Sequence, residues 1–142
     1  MKSRKGGIMT DRPDRIRGFT LVELLIVVVI IGILATIAIP KFSAFREKSY
    51  VASVVLDLKN FASQQEIYHG DNYTYAGTVA ALSEIVITEG VNIQVNEADG
   101  QGWAAVGWHD AVPTRQCGIF YGTGSASNAT PATTAGVITC QN

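Results

Sequence analysis

Charge is scarce in this sequence and is missing altogether from one long segment. Only 16% of the 142 residues are Asp, Glu, Lys or Arg, against roughly 25% in a typical soluble protein. No charged residue occurs between Leu24 and Ile39, where Thr36 is the one polar side chain. The net charge of −1 argues against nucleic-acid binding driven by charge alone. The 47% share of hydrophobic residues excludes intrinsic disorder of the whole chain.

Cysteine is also rare, because Cys117 and Cys140 are the only two in the chain. Two thiols without a second pair and without clustered histidines are too few for a structural zinc site, which takes four ligands. In an exported chain we expect them to form a disulfide that closes the C-terminal segment. Such a loop closure is worth about 3 kcal/mol. In a cytosolic chain both residues would stay free thiols.

The sequence shows no arrangement of residues that is typical of an enzyme. His69 and His109 lie far apart in the chain, and neither a Gly-x-Ser-x-Gly nor an HExxH pattern occurs. Asp99 and Asp110 flank a predicted hairpin and offer oxygen ligands for calcium, but they lack EF-hand spacing. We therefore predict a protein that is not an enzyme, with no catalytic residue, no cofactor and no metal site.

The apolar segment, extended back to Phe19, is long enough to cross a membrane. Phe19–Ile39 would form about 32 Å of helix, which matches the roughly 30 Å hydrocarbon core of a bilayer. Six basic and two acidic residues precede this segment, and acidic residues outnumber basic ones after it. A basic leader, an apolar run and an acidic body are typical of an exported chain.

One carboxylate, Glu23, lies inside the apolar run and sets this segment apart from a plain signal peptide or membrane anchor. A carboxylate in hydrocarbon is costly without a partner, so such residues are usually functional. Cleavage after Gly18 would create a second buried charge, the α-ammonium group of Phe19. The two charges could pair within one chain or between stacked subunits. Pairing between subunits would fix their axial stagger, because a buried ion pair is far worse when misaligned.

The segment Arg17–Glu23, which reads RGFTLVE, is followed by the apolar run and by Pro40. It closely resembles the prepilin N-terminus of type IV pilins and pseudopilins, with a similarity that covers about residues 15–60. The resemblance implies that a membrane prepilin peptidase cuts after Gly18 and N-methylates Phe19. It also implies a docking role for Glu23 during filament assembly.

The same resemblance implies the life history of the chain. The precursor would sit in the bacterial inner membrane as a single-pass protein, in contact with the lipid bilayer and an assembly platform. The mature chain would then be a homo-oligomer in a helical filament, either an extracellular pilus or a periplasmic pseudopilus. Adhesion, twitching motility, DNA uptake and protein secretion remain open as roles. Translation could start at Met1 or at Met9.

Gly32 and Pro40 interrupt the helix-forming pattern of the apolar segment. Proline removes a backbone donor and glycine weakens a helix by roughly 1 kcal/mol. In a bilayer the segment should stay helical, because unsatisfied amides are costly there. In a packed filament the resemblance implies local unwinding between these residues, and a simple kink at Pro40 is the alternative.

The predicted fold is α+β, with one long N-terminal helix packed against a small antiparallel sheet and a C-terminal region closed by the disulfide, as in the pilin fold. Apolar residues at helical spacing extend the helix from about Thr20 to Tyr68, and Asp57 lies off the apolar face, where solvent is expected. The segment His69-Gly70-Asp71-Asn72 ends the helix, because glycine suits the position after a helix and Asp and Asn favour turns.

Tyr73 and Tyr75 should pack the connection after the helix onto it, and Val79–Ile85 should form a short apolar helix or turn. Alternating residues from Val91 predict the first strand, and the Asp99-Gly100 pair predicts a tight hairpin turn after it. The segment Gly122–Gly136, rich in Gly, Ser, Thr and Ala, predicts an exposed loop. We divide the chain into a cleaved leader, a membrane and assembly half-helix, an amphipathic half-helix and a globular domain, at residues 1–18, 19–40, 41–69 and 70–142.

Three functional classes follow from these observations. The first is a structural subunit of a type IV pilus. The second is a pseudopilin of a type II secretion system, and the third is a membrane-anchored binding module or enzyme whose leader resembles a prepilin leader by chance. The cysteine pair and the Gly/Ser/Thr-rich loop at Gly122–Gly136 favour the first class. In the family that this chain resembles, many major pseudopilins of type II secretion lack the cysteine pair and hold calcium in that region instead.

Overall fold

The computed structural model describes residues 18–141. The basic leader and the two alternative start residues, Met1 and Met9, lie outside these residues. One helix, α1, spans Leu21–Asn72, and the chain divides into two compact units, one up to Ile39 and one from Pro40 onward. Among the described residues, the first unit contains the apolar half of α1, whose large apolar side chains are exposed. By length and composition this helix is able to cross a membrane.

The second half of α1 supplies one wall of the hydrophobic core. Val54, Leu58 and Phe61 are fully buried there, at the i, i+4, i+7 spacing that places residues on one helix face. Phe61 meets Trp103 edge to face, with ring centroids 5.2 Å apart. This confirms the amphipathic pattern that the sequence shows after Pro40.

The helix ends one turn later than the sequence predicts. Gly70 was expected to stop it, but α1 continues through Asn72. The left-handed position after the helix is taken by Tyr73, whose φ is +56°. Its amide donates to the His69 carbonyl at 2.9 Å, and the side-chain amide of Asn72 donates to the Tyr68 carbonyl at 2.9 Å. These bonds satisfy carbonyls that a helix end leaves open.

Four strands form an antiparallel sheet with the order β1-β2-β3-β4. They span Val91–Ala98, Gly102–His109, Cys117–Gly122 and Thr139–Cys140. The β1–β2 turn is held by Asp99, whose carboxylate accepts the amides of Gln101 and Gly102 at 2.7 and 2.8 Å. This is the turn that the Asp-Gly pair predicts. The sheet confirms the α+β architecture.

Two buried polar side chains of α1 tie the chain that follows the helix. Gln65 is fully buried, donates to the Ala76 carbonyl at 2.8 Å and accepts the Ala76 amide at 2.7 Å. Asp57 accepts the amide of Thr88 at 2.8 Å and its hydroxyl at 3.2 Å. The sequence pattern had placed Asp57 on the solvated face of the helix, and this was wrong. Its burial is tolerated because both bonds replace those lost to water.

The connection after α1 is only partly packed. The short apolar helix or turn predicted at Val79–Ile85 is a 3₁₀ turn at Val79–Ala81. Tyr75 is buried and stacks on His69 with ring centroids 4.4 Å apart. Burial, reinforced by a nearby carboxylate, raises the pKa of its hydroxyl. We expected both Tyr73 and Tyr75 to pack this loop onto the helix, but Tyr73 is 84% exposed.

The segment Gly122–Gly136 was expected to be an exposed loop, and part of it is buried instead. Ala129 and Ala132 form a small cluster with Ala104 of β2. Gly118 permits this close approach, because a side chain there would collide with the Ala129 carbonyl. Strand β2 is thus covered on both faces, by the main core on one side and by this segment on the other.

Glu97 anchors the same segment from strand β1. One carboxylate oxygen accepts the Asn128 side-chain amide and the Ser125 backbone amide, each at 2.9 Å. The Asn128 bond, followed by the Ser125 bond, lowers the pKa of Glu97 below its ordinary value of 4.5. The ionised carboxylate is therefore the form that holds the segment.

We expect this anchor to be released by acid. A lowered folded-state pKa means that the stabilisation is complete above about pH 4.5 and is lost as the pH falls through the folded value. Nuclear magnetic resonance of the full chain should show the Ser125 and Asn128 amide signals shifting in that range. In Glu97→Gln, which does not titrate, both signals should stay constant. Unchanged signals in the wild type would contradict the anchor.

The disulfide joins Cys117 to Cys140 with an S–S distance of 2.02 Å. The two residues are direct partners across β3 and β4. Strand β4 has only two residues, which is too short to pair stably by itself. The bond therefore secures the last strand of the sheet, and it confirms the predicted closure of the C-terminal region.

Candidate assembly site at the N-terminus of α1

Glu23 forms a reciprocal hydrogen-bonded cap with Thr20 at the start of α1. The amide and the hydroxyl of Thr20 both donate to Glu23 Oε2, at 2.8 and 2.9 Å. The amide of Glu23 donates to Thr20 Oγ1 at 3.1 Å. The Thr20 carbonyl accepts the first helical bond, from Leu24 at 3.2 Å. This arrangement is a capping box, in which the side chain of each residue accepts the backbone amide of the other at the start of a helix.

The cap uses only one of the two carboxylate oxygens. Within residues 18–141, Glu23 Oε1 accepts no hydrogen bond. A carboxylate with a free oxygen at the start of an apolar helix still lacks a counter-charge, and one in hydrocarbon is costly. The cap therefore orients Glu23 and leaves one oxygen available to a cation.

The predicted cation is the amino group of Phe19. In the intact chain Phe19 is joined to Gly18, precedes the helix and is 86% exposed. Its nitrogen becomes an ammonium group only after cleavage, so the pairing with Glu23 stays a prediction. Nothing on the described chain shields the peptide bond between Gly18 and Phe19, since both residues are exposed.

The fold itself supplies no reason for glycine at position 18. A Cβ atom built there meets no atom within 4 Å. An inert surface position would accept most residues. If glycine is required, the requirement arises from the enzyme that cuts there, where a residue without a side chain allows close backbone approach.

α1 runs without a break through Gly32 and Pro40. The hydroxyl of Thr36, the one polar side chain of this stretch, donates to the Gly32 carbonyl at 2.9 Å and is thereby satisfied inside the helix. Pro40 has no amide to donate to the carbonyl one turn before it. Unwinding between Gly32 and Pro40 in a filament stays a prediction, since it concerns packed subunits.

The capping partner Thr20 was missed at the sequence level. The signal was present, because a Thr followed three residues later by Glu before an apolar run is the pattern of a capping box. The charge of Glu23 indicates that it needs a partner, but it does not indicate what holds the side chain in place.

The other side chains that are able to take part in catalysis or metal binding are not brought together. Asp99 holds the turn before β2, whereas Asp110 lies beyond its far end and accepts the side-chain amide of Asn92 at 2.7 Å. His69 contacts the Gly100 carbonyl and His109 packs on Tyr50. Over residues 18–141 no group of three or more His, Cys, Asp or Glu is placed to hold a metal ion.

The N-terminal segment matches a family model described as the prokaryotic N-terminal methylation motif, over residues 14–39. This range contains the predicted cleavage point, the cap and the apolar run. Over these residues the chain carries the N-terminal methylation motif of pilin-like proteins. The family resemblance predicted from Arg17–Glu23 is confirmed.

Relatives of this pilin-like chain come from both branches of the family. The type II secretion system core protein G of Escherichia coli is 36% identical over 73 residues, 51% of this chain and 50% of the relative. The type IV wide pilus major component PilA4 of Thermus thermophilus is 44% identical over 66 residues, 46% of this chain and 50% of the relative. The type IV major pilin protein PilA of Myxococcus xanthus is 45% identical over 62 residues, which are 44% of this chain and 28% of the relative.

The match spans at most about half the length of these relatives. They are structural subunits rather than enzymes, as expected for this chain. The prepilin motif and the apolar half of α1 fit a precursor held in the inner membrane. The similarity supports a pilin-like subunit without choosing between a pilus and a secretion pseudopilus.

Proposed function

We propose that this chain is a structural subunit of a type IV pilus. The observation that carries this proposal is the combination of a single oriented carboxylate, Glu23, with an apolar helix half whose large side chains are exposed all round, from 47% at Val27 to 81% at Leu21. A helix of this kind is stable in only two settings, a bilayer or a bundle of similar helices. A pilin occupies the first setting as a precursor and the second in the filament.

The proposed maturation uses Gly18 and Phe19, which lie just before this helix. The prepilin peptidase would cut after Gly18 and methylate the new N-terminus at Phe19. The leader, residues 1–18, would be removed, residues 19–40 would become the assembly half of the helix, and residues 41–69 and 70–142 would form the part outside the membrane. An inner-membrane platform would then move the subunit from the bilayer into the filament.

Glu23 would set the register between subunits. The cap with Thr20 fixes the carboxylate, and its second oxygen can meet the Phe19 ammonium group of a neighbour. In a dry helix bundle this attraction is strong at contact and is lost when one helix slides by a turn. Apolar packing alone has no such preference, because neighbouring aliphatic side chains are nearly interchangeable.

A second candidate function is that of a pseudopilin of a type II secretion system. The similarity to core protein G favours it. The Cys117–Cys140 bond and the Ser/Thr-rich segment between β3 and β4 favour a pilus, because in the family that this chain resembles many major pseudopilins lack the cysteine pair. Electron microscopy separates the two: a deletion strain that loses surface fibres supports the pilus, and one that loses only secretion supports the pseudopilus.

Processing can be tested by mass spectrometry of the mature chain. We expect a chain that begins at Phe19 and is one methyl group heavier than its sequence. Gly18→Val should remain uncut, because a side chain would obstruct the peptidase. Gly32→Val is the matched control, since a Cβ there also meets nothing within 4 Å, and it should be cut normally. A Gly18→Val chain that matures to the wild-type mass would contradict the proposed cleavage point.

A further inference from the structure

Two hollows lie on the flanks of the second half of α1. The first, which we name the acidic groove, has a volume of about 320 Å³ and lies between α1 and the connection that follows it. Its walls carry Gln64, Ile67, Asp71 and Glu84. A smaller neighbouring hollow of about 240 Å³ shares Gln64 and Glu84 and extends the groove along the helix. Glu84 therefore stands at the centre of the extended groove.

The second hollow, which we name the basic hollow, has a volume of about 290 Å³ and lies near the start of the same unit. Its walls carry Ala44, Lys48 and Val51 of α1, together with Arg115 and Gln141. Glu47 also lines it and pairs with Arg115 at 3.5 Å. Lys48 is left as its unpaired cation, because Glu47–Arg115 is the sole side-chain ion pair within residues 18–141.

The two hollows are complementary in charge. The acidic groove is lined by two carboxylates, those of Asp71 and Glu84, and by no basic side chain. Both carboxylates are exposed, and neither pairs with a cation within the described residues. The basic hollow has two cations against one carboxylate. A single chain thus carries an unsatisfied positive site and an unsatisfied negative site.

Their positions on α1 are also matched. Residues 44, 48 and 51 of the basic hollow correspond to residues 64, 68 and 71 of the acidic groove, each pair being separated by about 20 positions, or roughly 30 Å and five and a half turns. A half-integral number of turns places the two hollows on nearly opposite sides of the helix. Two parallel copies that lie side by side, with one displaced by roughly 30 Å along α1, therefore present the basic hollow of one to the acidic groove of the other.

We propose that the acidic groove binds the basic hollow of a second copy of this chain, with Lys48 of one copy against Glu84 of the next. This inference rests on the proposed function, because it requires parallel subunits. The contact displaces neighbouring copies by roughly 30 Å along α1. Because it joins two different surfaces on opposite flanks, it does not close into a two-fold dimer, and repeating it generates an open helical filament.

Charge reversal with rescue tests the contact. Lys48→Glu and Glu84→Lys should each lower the yield of sheared fibres at least about tenfold, because like charges then face each other. The double exchange restores opposite charges and should return the yield to within about twofold of the wild type. Lys59→Glu and Glu89→Lys are matched controls on exposed residues outside both hollows, and they should leave the yield unchanged. Immunoblots of mature chain confirm that each variant is made.

Carbodiimide cross-linking of wild-type fibres gives a direct readout. This reagent condenses a carboxylate and an amine in contact into an amide and takes up the released water as a urea. Mass spectrometry should find the Lys48 peptide joined to the Glu84 peptide. The link must join two copies, because within one chain Lys48 lies roughly 24 Å along α1 from Gln64, the helical residue that lines both parts of the groove together with Glu84.

The outcomes separate this contact from the function on which it rests. Fibres that form normally in both single reversals, or intact wild-type fibres without the Lys48–Glu84 link, overturn the contact and leave the pilus proposal standing. A wild-type strain without any filament contradicts the proposed function and removes the contact with it. Loss of fibres in the single variants without rescue in the double exchange also overturns the pairing.

Discussion

Replacing Glu23 by valine is expected to leave processing intact and to abolish filament assembly. The Phe19 ammonium group of each subunit would then enter the helix bundle without a counter-charge. Removing one partner of a buried ion pair costs about 3 to 5 kcal/mol, which is more than a hundredfold in an association constant. The mature mass, corrected for the substitution, should still correspond to a chain that begins at Phe19, whereas the yield of sheared fibres should fall by at least that factor.

Thr20→Val separates the two roles of the carboxylate. This variant loses the hydroxyl bonds of the cap but keeps the charge of Glu23. Loss of a cap costs about 1 kcal/mol, so we expect a reduction in fibre yield of only about fivefold. Equal losses in Glu23→Val and Thr20→Val would show that capping, not charge pairing, is what matters. Normal fibres in Glu23→Val would refute the docking role.

Replacing both cysteines by serine is expected to destabilise the globular unit by roughly 3 kcal/mol. The Cys117–Cys140 bond closes the loop that includes the segment after β3, and it holds a strand of two residues against β3. Without it, the unfolded chain gains conformational freedom and β4 has little to keep it paired. Urea unfolding of the full chain in mild detergent, followed by the fluorescence of the buried Trp103, measures the change.

The reduced wild-type chain provides the control for this prediction. A reductant should lower the urea midpoint of the wild type to that of the double variant, and it should not affect the double variant. Equal midpoints for the oxidised wild type and the double variant would contradict a stabilising bond. Alkylation of the untreated mature chain gives an independent check, because a disulfide leaves no thiol to react.

The structural prediction succeeded where local pattern is sufficient. The long helix follows from apolar spacing before and after Pro40, and the turn at Asp99 follows from its Asp-Gly pair. The disulfide followed from cysteine number and compartment. The helix and the turn depend on residues that are close in the sequence. The disulfide depends on the presence of only two cysteines, which leaves one possible pairing.

The predictions that failed depend on partners that are distant in the sequence. Asp57 is buried because Thr88 supplies two donors. Ala129 is buried because Gly118 permits a close backbone approach. Local composition marks an aspartate as solvated and a segment rich in Gly and Ser as exposed, and only the folded chain shows otherwise. The run of apolar residues in β2, Trp103 to Val106, was a usable sign that both faces of that strand are covered.

By itself, the sequence determined the apolar helix, the position of Glu23 within it and the prepilin motif, because membrane length, buried charge and peptidase recognition are properties of contiguous residues. Only the tertiary structure decided that Asp57 is buried, and that Lys48 and Glu84 lie in hollows on opposite flanks of α1. Those relations depend on where side chains point and on which distant segments cover the helix, and neither is set by local pattern.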